Sequence, residues 1–312
     1  MGLRVLLWIF FLAVLWGPSF LFIKVAVLEI PPFTLMTARV GIASLILYII
    51  LRASGKKLTL NPATWRSFAF MAVFANALPF VLFGWGEIHV DSALAAVLNG
   101  TTPIFTIIIA HFFISDDRLN LVKIIGIIFG FLGVVILFFP FLSKGLTLDT
   151  LGVFAFIAAA LCYGISTVYA RKKLRGLPPL VAPTAQLILA TICLLPFSLI
   201  IDRPFEMNFP SWNAINSVLA LAIFGSAIAF ATFYHILEMT SATNLSMVTY
   251  LIPVIGVILG VVFLDEKLGW YVYVGCAIIV LGIMVVNGVF NQFLVRKADS
   301  GIRVGESTDQ AS

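Results

Sequence analysis

The sequence contains ten long apolar segments, and the first five resemble the second five at a separation of about 150 residues. The corresponding stretches are Ala13–Ser19 and Ala160–Ser166, Pro31–Arg39 and Pro178–Gln186, and the single residues Pro103 and Pro253. A copy with an odd number of membrane crossings ends on the side opposite to its start, so the second copy is inverted relative to the first. Inverted repeats place a shared site near the middle of the bilayer. The repeat therefore predicts two inverted halves around a central cavity.

Composition and segment length both indicate a chain embedded in lipid. Hydrophobic residues make up 62% of the 312 residues and charged residues 11%, whereas soluble domains have about 45–50% and about 25%. At about 1.5 Å per residue, segments of this length cover a hydrocarbon core of roughly 30 Å, and lipid requires them to be helical. The predicted spans are Leu3–Ala26, Phe33–Arg52, Arg66–Gly86, Asp91–Phe113, Leu121–Leu142, Leu151–Ala170, Leu180–Ile201, Trp212–Ile236, Thr243–Leu264 and Trp270–Phe290.

The expected fold is therefore an all-α membrane protein with ten transmembrane helices in two inverted five-helix repeats. Residues 3–142 form the first repeat and residues 151–290 the second. The polar segment 298–312 carries mixed charge and is predicted to be a disordered cytoplasmic tail.

The basic residues predict how the chain is oriented. Of the 19 Lys and Arg residues, 14 fall on the side of the N-terminus, four fall on the opposite side, and one lies within a span. This bias predicts that both termini are cytoplasmic. The net charge of +5 then reflects topology and contact with membrane lipid, and a nucleic-acid partner is not expected. A cell membrane, the inner membrane of a bacterium, is the expected location.

Helix breakers and small residues predict where the helices bend and pack. Gly17–Pro18 interrupts the first span, and a proline inside a helix removes a backbone donor and favours a kink. Kinks are also expected at Pro79, Pro103, Pro183 and Pro253. Glycines at a spacing that lets helix backbones approach are Gly126, Gly130, Gly133, Gly256, Gly260, Gly275 and Gly282. Packing within one chain is the favoured interpretation over dimerisation, so a monomer or a weak dimer is expected.

Polar residues near the middle of the spans define the candidate binding site. Hydrocarbon offers such groups no partners, so they are expected to face the interior. Amides and hydroxyls beside aromatic rings suit a small amphipathic molecule, although hydrogen bonding between helices explains part of the set. The candidate substrate-binding residues are Trp16, Ser19, Asn76, Asn99, Thr102, Tyr163, Ser166 and Tyr250, with Ser226 at a similar depth.

Arg39 completes the candidate site as its most deeply placed charged residue. It lies about 10 Å inside the second span, at 1.5 Å per residue. Its side chain could pair with Glu29, Glu87 or Asp91, bind a substrate carboxylate, or extend to the lipid headgroups. No Asp, Glu or Lys lies near the midpoint of a predicted span. This pattern favours facilitated diffusion or exchange over a relay of protons between carboxylates.

Several motifs resemble those of the EamA branch of the drug/metabolite transporter superfamily. They are Leu15–Phe20 (LWGPSF) followed by Lys24, Pro32 followed by Arg39, Asp91–Ala96 (DSALAA) leading through Asn99 to Pro103, and in the second half Thr240–Ala242, Pro253 and Asp265–Leu268 (DEKL). The resemblance covers Leu3 to Phe290. It implies two inverted five-helix repeats that export metabolites, amino acids or drug-like compounds through a central cavity. The second copy departs from the first at Ile165, which replaces Pro18, and at Gln186, which replaces Arg39.

These observations predict a secondary transporter that moves a small organic metabolite or amino acid by alternating access. A membrane-embedded enzyme is one alternative, but it needs acidic residues, histidines or a nucleophile and its base clustered at one depth. The three histidines lack metal-ligand spacing, and the three cysteines stand singly in apolar spans. No catalytic residue, metal site or cofactor is therefore expected. A channel or facilitator for small polar solutes is the other alternative.

Overall fold

The computed structural model describes residues 3–58, 61–114, 119–142, 147–174, 176–178, 180–239 and 248–286. These residues form helices joined by short turns. The helices are α1 (Leu3–Trp16), α2 (Ser19–Val27), α3 (Pro32–Ala53), α4 (Pro62–Met71), α5 (Leu78–His89), α6 (Ser92–Asn99), α7 (Thr102–Phe113), α8 (Leu121–Leu142), α9 (Leu148–Lys173), α10 (Val181–Phe197), α11 (Trp212–Ala222), α12 (Ala229–Met239), α13 (Val248–Leu264) and α14 (Trp270–Val286).

Eight helical stretches among the described residues are long and apolar enough to cross a membrane. Two shorter apolar helices, α13 and α14, have 17 residues each and lie beside parts of the chain that the structure does not describe. The start of the ninth predicted span at Thr243, the end of the tenth at Phe290 and the tail 298–312 all lie outside the described residues.

The third and sixth helical stretches are longer than their apolar segments predict. The third begins at Pro62, after Asn61, whose side chain accepts the Ala63 N–H at 2.9 Å. The sixth begins at Leu148, because Thr147 caps it by accepting the Thr150 N–H at 3.3 Å. Such capping residues satisfy the free N–H groups of a helix end and extend it into polar sequence.

Several helical stretches change geometry near the middle. α1 ends at Trp16 and α2 begins at Ser19, so the predicted break at Gly17–Pro18 is confirmed. α6 ends at Asn99, and α7 begins at Thr102, directly before Pro103. Turns of π-helix occur at Ala72–Ala77 and Ile223–Ile228, which are corresponding places in the two halves. Such turns are frequent at functional sites.

The other predicted proline kinks have different outcomes. The prediction of a break at Pro183 is wrong, because α10 begins at Val181 and a proline in the first turn gives up no intrahelical hydrogen bond. α13 continues through Pro253. Pro79 is the second residue of α5, directly after the π-helical turn Ala72–Ala77.

The helices pack in pairs that recur when the two halves are exchanged. α3 packs on α10, α6 on α13 and α8 on α14, and each pair joins corresponding segments of the two halves. α5 of the third helical stretch packs on α9, which is the sixth. The corresponding contact with the halves exchanged joins the first stretch to the eighth, where α2 packs on α11 and α1 packs on α12. Each contact therefore has a counterpart in which the two halves have exchanged roles. Since all of these contacts cross between the halves, the two halves form one bundle.

Glycines bring α8 and α14 into close contact. A Cβ atom added to Gly133 would lie 2.6 Å from Ile279 Cγ1 and 2.9 Å from the Gly275 carbonyl oxygen. A Cβ atom added to Gly282 would lie 2.7 Å from the Gly126 carbonyl oxygen. These glycines therefore pack helices of the same chain against each other.

The turns between helices gather at two ends of the bundle. The Glu29 end comprises the turns 28–31, 90–91, 203–211 and 265–269. The opposite end, the Lys56 end, includes the turns 54–58 and 176–178. Beneath the Lys56 end, Leu51 and Phe68 of the first half pack with Leu174 and Val181 of the second.

Candidate functional site

Arg39 is the centre of a polar cluster that joins the two halves. Its side chain is only 3% exposed. Its Nε–H donates to Ser226 Oγ at 2.9 Å, and its Nη2 donates to the Gly225 carbonyl at 3.4 Å. The guanidinium carbon lies 3.9 Å from the centre of the Phe80 ring, within the range of a cation–π interaction. Arg39 therefore does not extend to the lipid headgroups, and its charge stays inside the bundle.

The π-helical turn Ile223–Ile228 supplies both hydrogen-bond acceptors of Arg39. Gly225 permits the close approach, because a Cβ atom there would lie 2.9 Å from Ser19 Oγ and 3.7 Å from Arg39 Nη2. The Ser19 side chain is buried, and its hydroxyl has no hydrogen-bond partner among the described residues. The structure thus brings Ser19 and Arg39 together from two successive spans.

Aromatic rings adjoin this cluster on α5 and α9. Phe83 lies one turn of helix beyond Phe80, and its ring centre is 5.7 Å from that of Tyr163 and 5.2 Å from that of Phe156. Tyr163 therefore lies beside the Arg39 cluster, although it belongs to the other half of the chain.

Trp16 lies one turn before Ser19 and packs against α12. Its ring centre is 6.2 Å from that of Phe230, in an edge-to-face arrangement, and 5.7 Å from that of Phe233. Such aromatic pairs stabilise a contact beyond the area that they bury. Trp16 thus links the break in the first span to the eighth helical stretch.

Three buried amide oxygens have no hydrogen-bond partner among the described residues: those of Asn76, Asn99 and Gln186. Asn76 lies in the π-helical turn Ala72–Ala77, and its Nδ2 donates to the Met71 carbonyl at 3.1 Å. Buried polar groups without partners are rare in native structures, because burial removes their hydrogen bonds to water and provides no replacement. Among the described residues, these oxygens are unpaired acceptors inside the bundle.

Gln186 occupies in the second half the position that Arg39 occupies in the first. α10, which carries Gln186, packs on the π-helical turn Ala72–Ala77, just as α3, which carries Arg39, packs on Ile223–Ile228. A neutral amide therefore replaces a cation in otherwise corresponding surroundings. The positive charge is confined to the part of the site nearer the Glu29 end.

The remaining predicted residues have their own local contacts. The Thr102 hydroxyl donates to the Asn99 carbonyl at 2.8 Å, and the Ser166 hydroxyl donates to the Tyr163 carbonyl at 3.1 Å. Tyr250 lies in the first turn of α13, and its side chain is outside the described part of the structure.

Of the predicted residues, Ser19, Arg39, Asn76 and Ser166 are buried in this conformation. A groove of about 530 Å³ opens beside α4 and is lined by Pro62, Trp65, Arg66, Ala69 and Leu189, and it includes none of the predicted residues. Among the described residues, no three His, Cys, Asp or Glu side chains lie close enough to hold a metal ion.

Side-chain hydrogen bonds join the two halves at the Glu29 end. The Glu29 carboxylate accepts the N–H and the O–H of Ser211, each at 2.6 Å. Asp202 accepts the Thr34 N–H at 2.6 Å, and the hydroxyls of Thr34 and Ser198 are 2.9 Å apart. We refer to these five residues as the latch. Sequence reasoning missed it, because its members lie in turns or helix ends and are distant in sequence.

The ionised form of Glu29 maintains its part of the latch. The hydrogen bond from the Ser211 side chain, followed by that from its backbone, lowers the pKa of Glu29, and desolvation opposes this change. Ser211 is also the N-cap of α11, where the helix dipole favours a negative charge.

Comparison with known proteins agrees with this architecture. The sequence model of the EamA-like transporter family matches residues 3–139 and 150–288. The uncharacterized transporter YoaV of Bacillus subtilis is 25% identical over 292 residues, which are 93% of this chain and 98% of that protein. An uncharacterized transporter of Archaeoglobus fulgidus is 27% identical over 271 residues, which are 87% of this chain and 94% of that protein.

Two further matches are more distant. A WAT1-related chloroplastic protein of Arabidopsis thaliana is 25% identical over 278 residues, which are 87% of this chain and 66% of that protein. A solved crystal structure shares the fold with a TM-score of 0.69 at 19% identity, covering 94% of this chain and 99% of the other. The family match and the apolar helices identify a multi-pass membrane protein, and the names of the relatives indicate transport rather than catalysis.

Proposed function

Because this chain belongs to the EamA-like transporter family, we propose that it is a secondary transporter that exports a small organic metabolite or amino acid by alternating access. The observation that carries the proposal is the helix packing, in which corresponding helices of the two halves pair across one interface. Two halves related in this way can rock against each other and expose the interface first to one side of the membrane and then to the other.

The proposed topology has ten transmembrane helices in two inverted repeats, residues 3–142 and 151–290, with both termini and the Lys56 end in the cytoplasm of a bacterial cell. The support comes from the basic residues. Lys56, Lys57 and Lys172 lie in or beside turns of the Lys56 end, and an excess of Lys and Arg marks the cytoplasmic side of a membrane protein. The Glu29 end then faces the outside.

The proposed binding site lies between the halves. Arg39 supplies a positive charge, Trp16 and Tyr163 supply aromatic faces, and the free oxygens of Asn76 and Asn99 accept hydrogen bonds. This combination suits an amphipathic molecule with an apolar body and both donor and acceptor groups. Ser19, Thr102, Ser166 and Tyr250 complete the proposed set of substrate-binding residues.

The latch sets the proposed conformational cycle. Its hydrogen bonds close the Glu29 end in the described conformation, so opening to that side must break them. The helix break at Gly17–Pro18 and the π-helical turns Ala72–Ala77 and Ile223–Ile228 lie next to the proposed site and provide places where the helices can bend.

A cross-link at the latch tests the proposal. The substrate is first identified by comparing metabolites of cells with and without the gene, and transport is then followed by counterflow in liposomes. In a background without the three native cysteines, Thr34→Cys with Ser198→Cys forms a bridge across two hydroxyl positions 2.9 Å apart. We expect oxidation to stop counterflow and reduction to restore it, with neither effect in the single-cysteine variants.

Other results would count against alternating access. Counterflow that continues after cross-linking would show that the latch does not need to open. Flux without acceleration by substrate on the opposite side would indicate a channel or facilitator instead.

A further inference from the structure

Glu87 is a buried carboxyl group without a hydrogen-bond partner. The residue is 0% exposed, and neither carboxyl oxygen has a partner among the described residues. It lies in the last turn of α5 at the Glu29 end, where the preceding residue, Gly86, contacts the Phe156 ring so closely that an added Cβ atom would lie 2.6 Å from a ring carbon. An ionised carboxylate without partners is strongly unfavourable in such surroundings, whereas the neutral acid is much less so.

The nearest cations donate to other groups. Lys24 Nζ donates to the backbone carbonyls of Glu87 and Val90, at 2.7 and 2.8 Å. The guanidinium of Arg39 donates to Ser226 and to the backbone of the same π-helical turn. An ionised carboxylate is a stronger acceptor than a carbonyl, so it would attract these donors. Their actual partners match a neutral Glu87 side chain.

The charged surroundings add a second reason. The charged groups that act on Glu87 are Lys24 of α2, Glu266 before α14 and Arg39 of α3. Asp91, before α6, is acted on in turn by Glu266, Lys24 and Asp149 of α9. The Glu266 carboxylate accepts the N–H groups of Ser92 and Ala93 at 2.7 and 3.0 Å, so the start of α6 stabilises its charge.

Asp91 experiences the same crowding outside the spans. Burial, followed by repulsion from Glu266, raises the pKa of Asp91, and attraction to Lys24 opposes this rise. The carboxyl groups of Glu87 and Asp91 therefore both experience repulsion from Glu266 and attraction to Lys24. A third full negative charge here is unfavourable.

We propose that Glu87 is a proton-binding site that holds a proton while the Glu29 end is closed and loses it when that end opens. On opening, the O–H bond of the acid breaks, the proton passes to water at the Glu29 end, and the carboxylate pairs with Lys24. On closing, the carboxylate takes a proton back from the same side. No proton crosses the membrane in this sequence, so acidity at the Glu29 end favours the closed state without driving transport.

This inference rests on the proposed opening of the Glu29 end, but the occupancy of the proton site can be measured separately. Infrared spectroscopy of the protein in liposomes at neutral pH detects the C=O band of a neutral carboxyl group. We expect Glu87→Gln to remove a band that Glu206→Gln leaves unchanged, because Glu206 is exposed and paired with Arg203 at 3.5 Å. If Glu87→Gln fails to fold, isotope-labelled glutamate in the unaltered protein must shift the band. A band absent from the protein, or unaffected by these changes, overturns the proposal.

The second experiment measures closure as a function of pH. Ser198→Cys reports the covered latch and Phe209→Cys reports an exposed position at the same end, each without the native cysteines. The ratio of their labelling rates by a membrane-impermeant maleimide cancels the pH dependence of the thiol itself. As the pH is lowered from alkaline to mildly acidic values, we expect the ratio of the Ser198→Cys rate to the Phe209→Cys rate to fall. One linked proton changes this ratio by at most about tenfold per pH unit.

Glu87→Gln should abolish this pH dependence and keep the latch covered, because the amide imitates the protonated acid. A ratio independent of pH in the unaltered protein, or an unchanged dependence in Glu87→Gln, overturns the proposal. Counterflow distinguishes the two proposals: a protein with the expected band but without counterflow retains the proton site and fails as a transporter. A protein that shows counterflow but lacks the band is a transporter without the proton site.

Discussion

Arg39 donates its Nε–H to the Ser226 hydroxyl over 2.9 Å, so a π-helical turn of one half holds a buried cation of the other. The other contacts of the guanidinium are a backbone carbonyl and the ring of Phe80. These partners orient the guanidinium and leave its charge available. An anionic group of a bound molecule would meet the positive charge of Arg39 there, and folding has already removed that charge from water.

Arg39→Lys is expected to lower transport by about 10- to 100-fold, the equivalent of losing a hydrogen bond to a charged group. Lysine keeps the charge but cannot reproduce the planar fork or its stacking on Phe80. The measurement is the initial rate of counterflow at matched protein abundance. Ser226→Ala should have a smaller effect, because it removes a single acceptor. Equal rates for Arg39→Lys and the unaltered protein would exclude a role in binding.

Asn99→Ala is expected to lower transport without lowering membrane abundance. The Asn99 amide oxygen is buried and has no hydrogen-bond partner among the described residues, so its removal breaks no hydrogen bond that the oxygen makes within the fold. Abundance is measured by quantitative immunoblotting of membranes, and transport by counterflow. A parallel loss of both would assign Asn99 to folding instead.

Gly133→Ala is expected to destabilise the bundle by about 1–3 kcal/mol, the usual effect of overpacking. The new methyl group would collide with Ile279 and with the backbone of Gly275 in α14. Gly41→Ala is the matched control, because its Cβ atom would lie 3.4 Å from Thr191 Cγ2, and alanine is the better helix former. Thermal unfolding in detergent compares the two variants, and equal transition temperatures would contradict the close packing of α8 and α14.

Glu29→Gln is expected to loosen the latch at neutral pH. The pKa of Glu29 is lowered from its ordinary value of 4.5, so the stabilisation by its charge is complete above that value and is lost as the pH falls through the lowered pKa. The labelling rate of Ser198→Cys, relative to Phe209→Cys, should therefore rise in strong acid and should already be raised at neutral pH in Glu29→Gln. This acid effect is opposite in sign to that expected from Glu87, and it occurs at lower pH. Labelling of Ser198→Cys that does not respond to Glu29→Gln would show that the Ser211 contact does not restrain opening.

Sequence reasoning predicted the helices well where a local property decides them. The interruption at Gly17–Pro18 and the end of the fifth span at Leu142 follow from proline chemistry and from the length of an apolar run. The helix starts at Pro62 and Leu148 were missed, because Asn61 and Thr147 cap polar turns that a hydropathy pattern does not include.

The candidate site was predicted in part. The position of each residue along its span, taken as its depth in the membrane, predicted that Ser19, Arg39 and Ser226 face the interior. The structure brings these three together. Depth could not show that Arg39 lies over Phe80, or that Glu87, near the end of its span, is more deeply buried than many residues at a midpoint. A position near the end of a helix is covered whenever a neighbouring helix or turn lies over it.

The sequence by itself determined that this chain is a membrane protein of two similar halves, because apolar run length, repeat spacing and charge bias are read along the chain without knowledge of contacts. The tertiary structure decided which side chains meet. Arg39 and Ser226 are 187 residues apart, and Glu29 and Ser211 are 182 residues apart. Such pairs depend on how the helices of the two halves cross, and this is set by packing among many side chains at once.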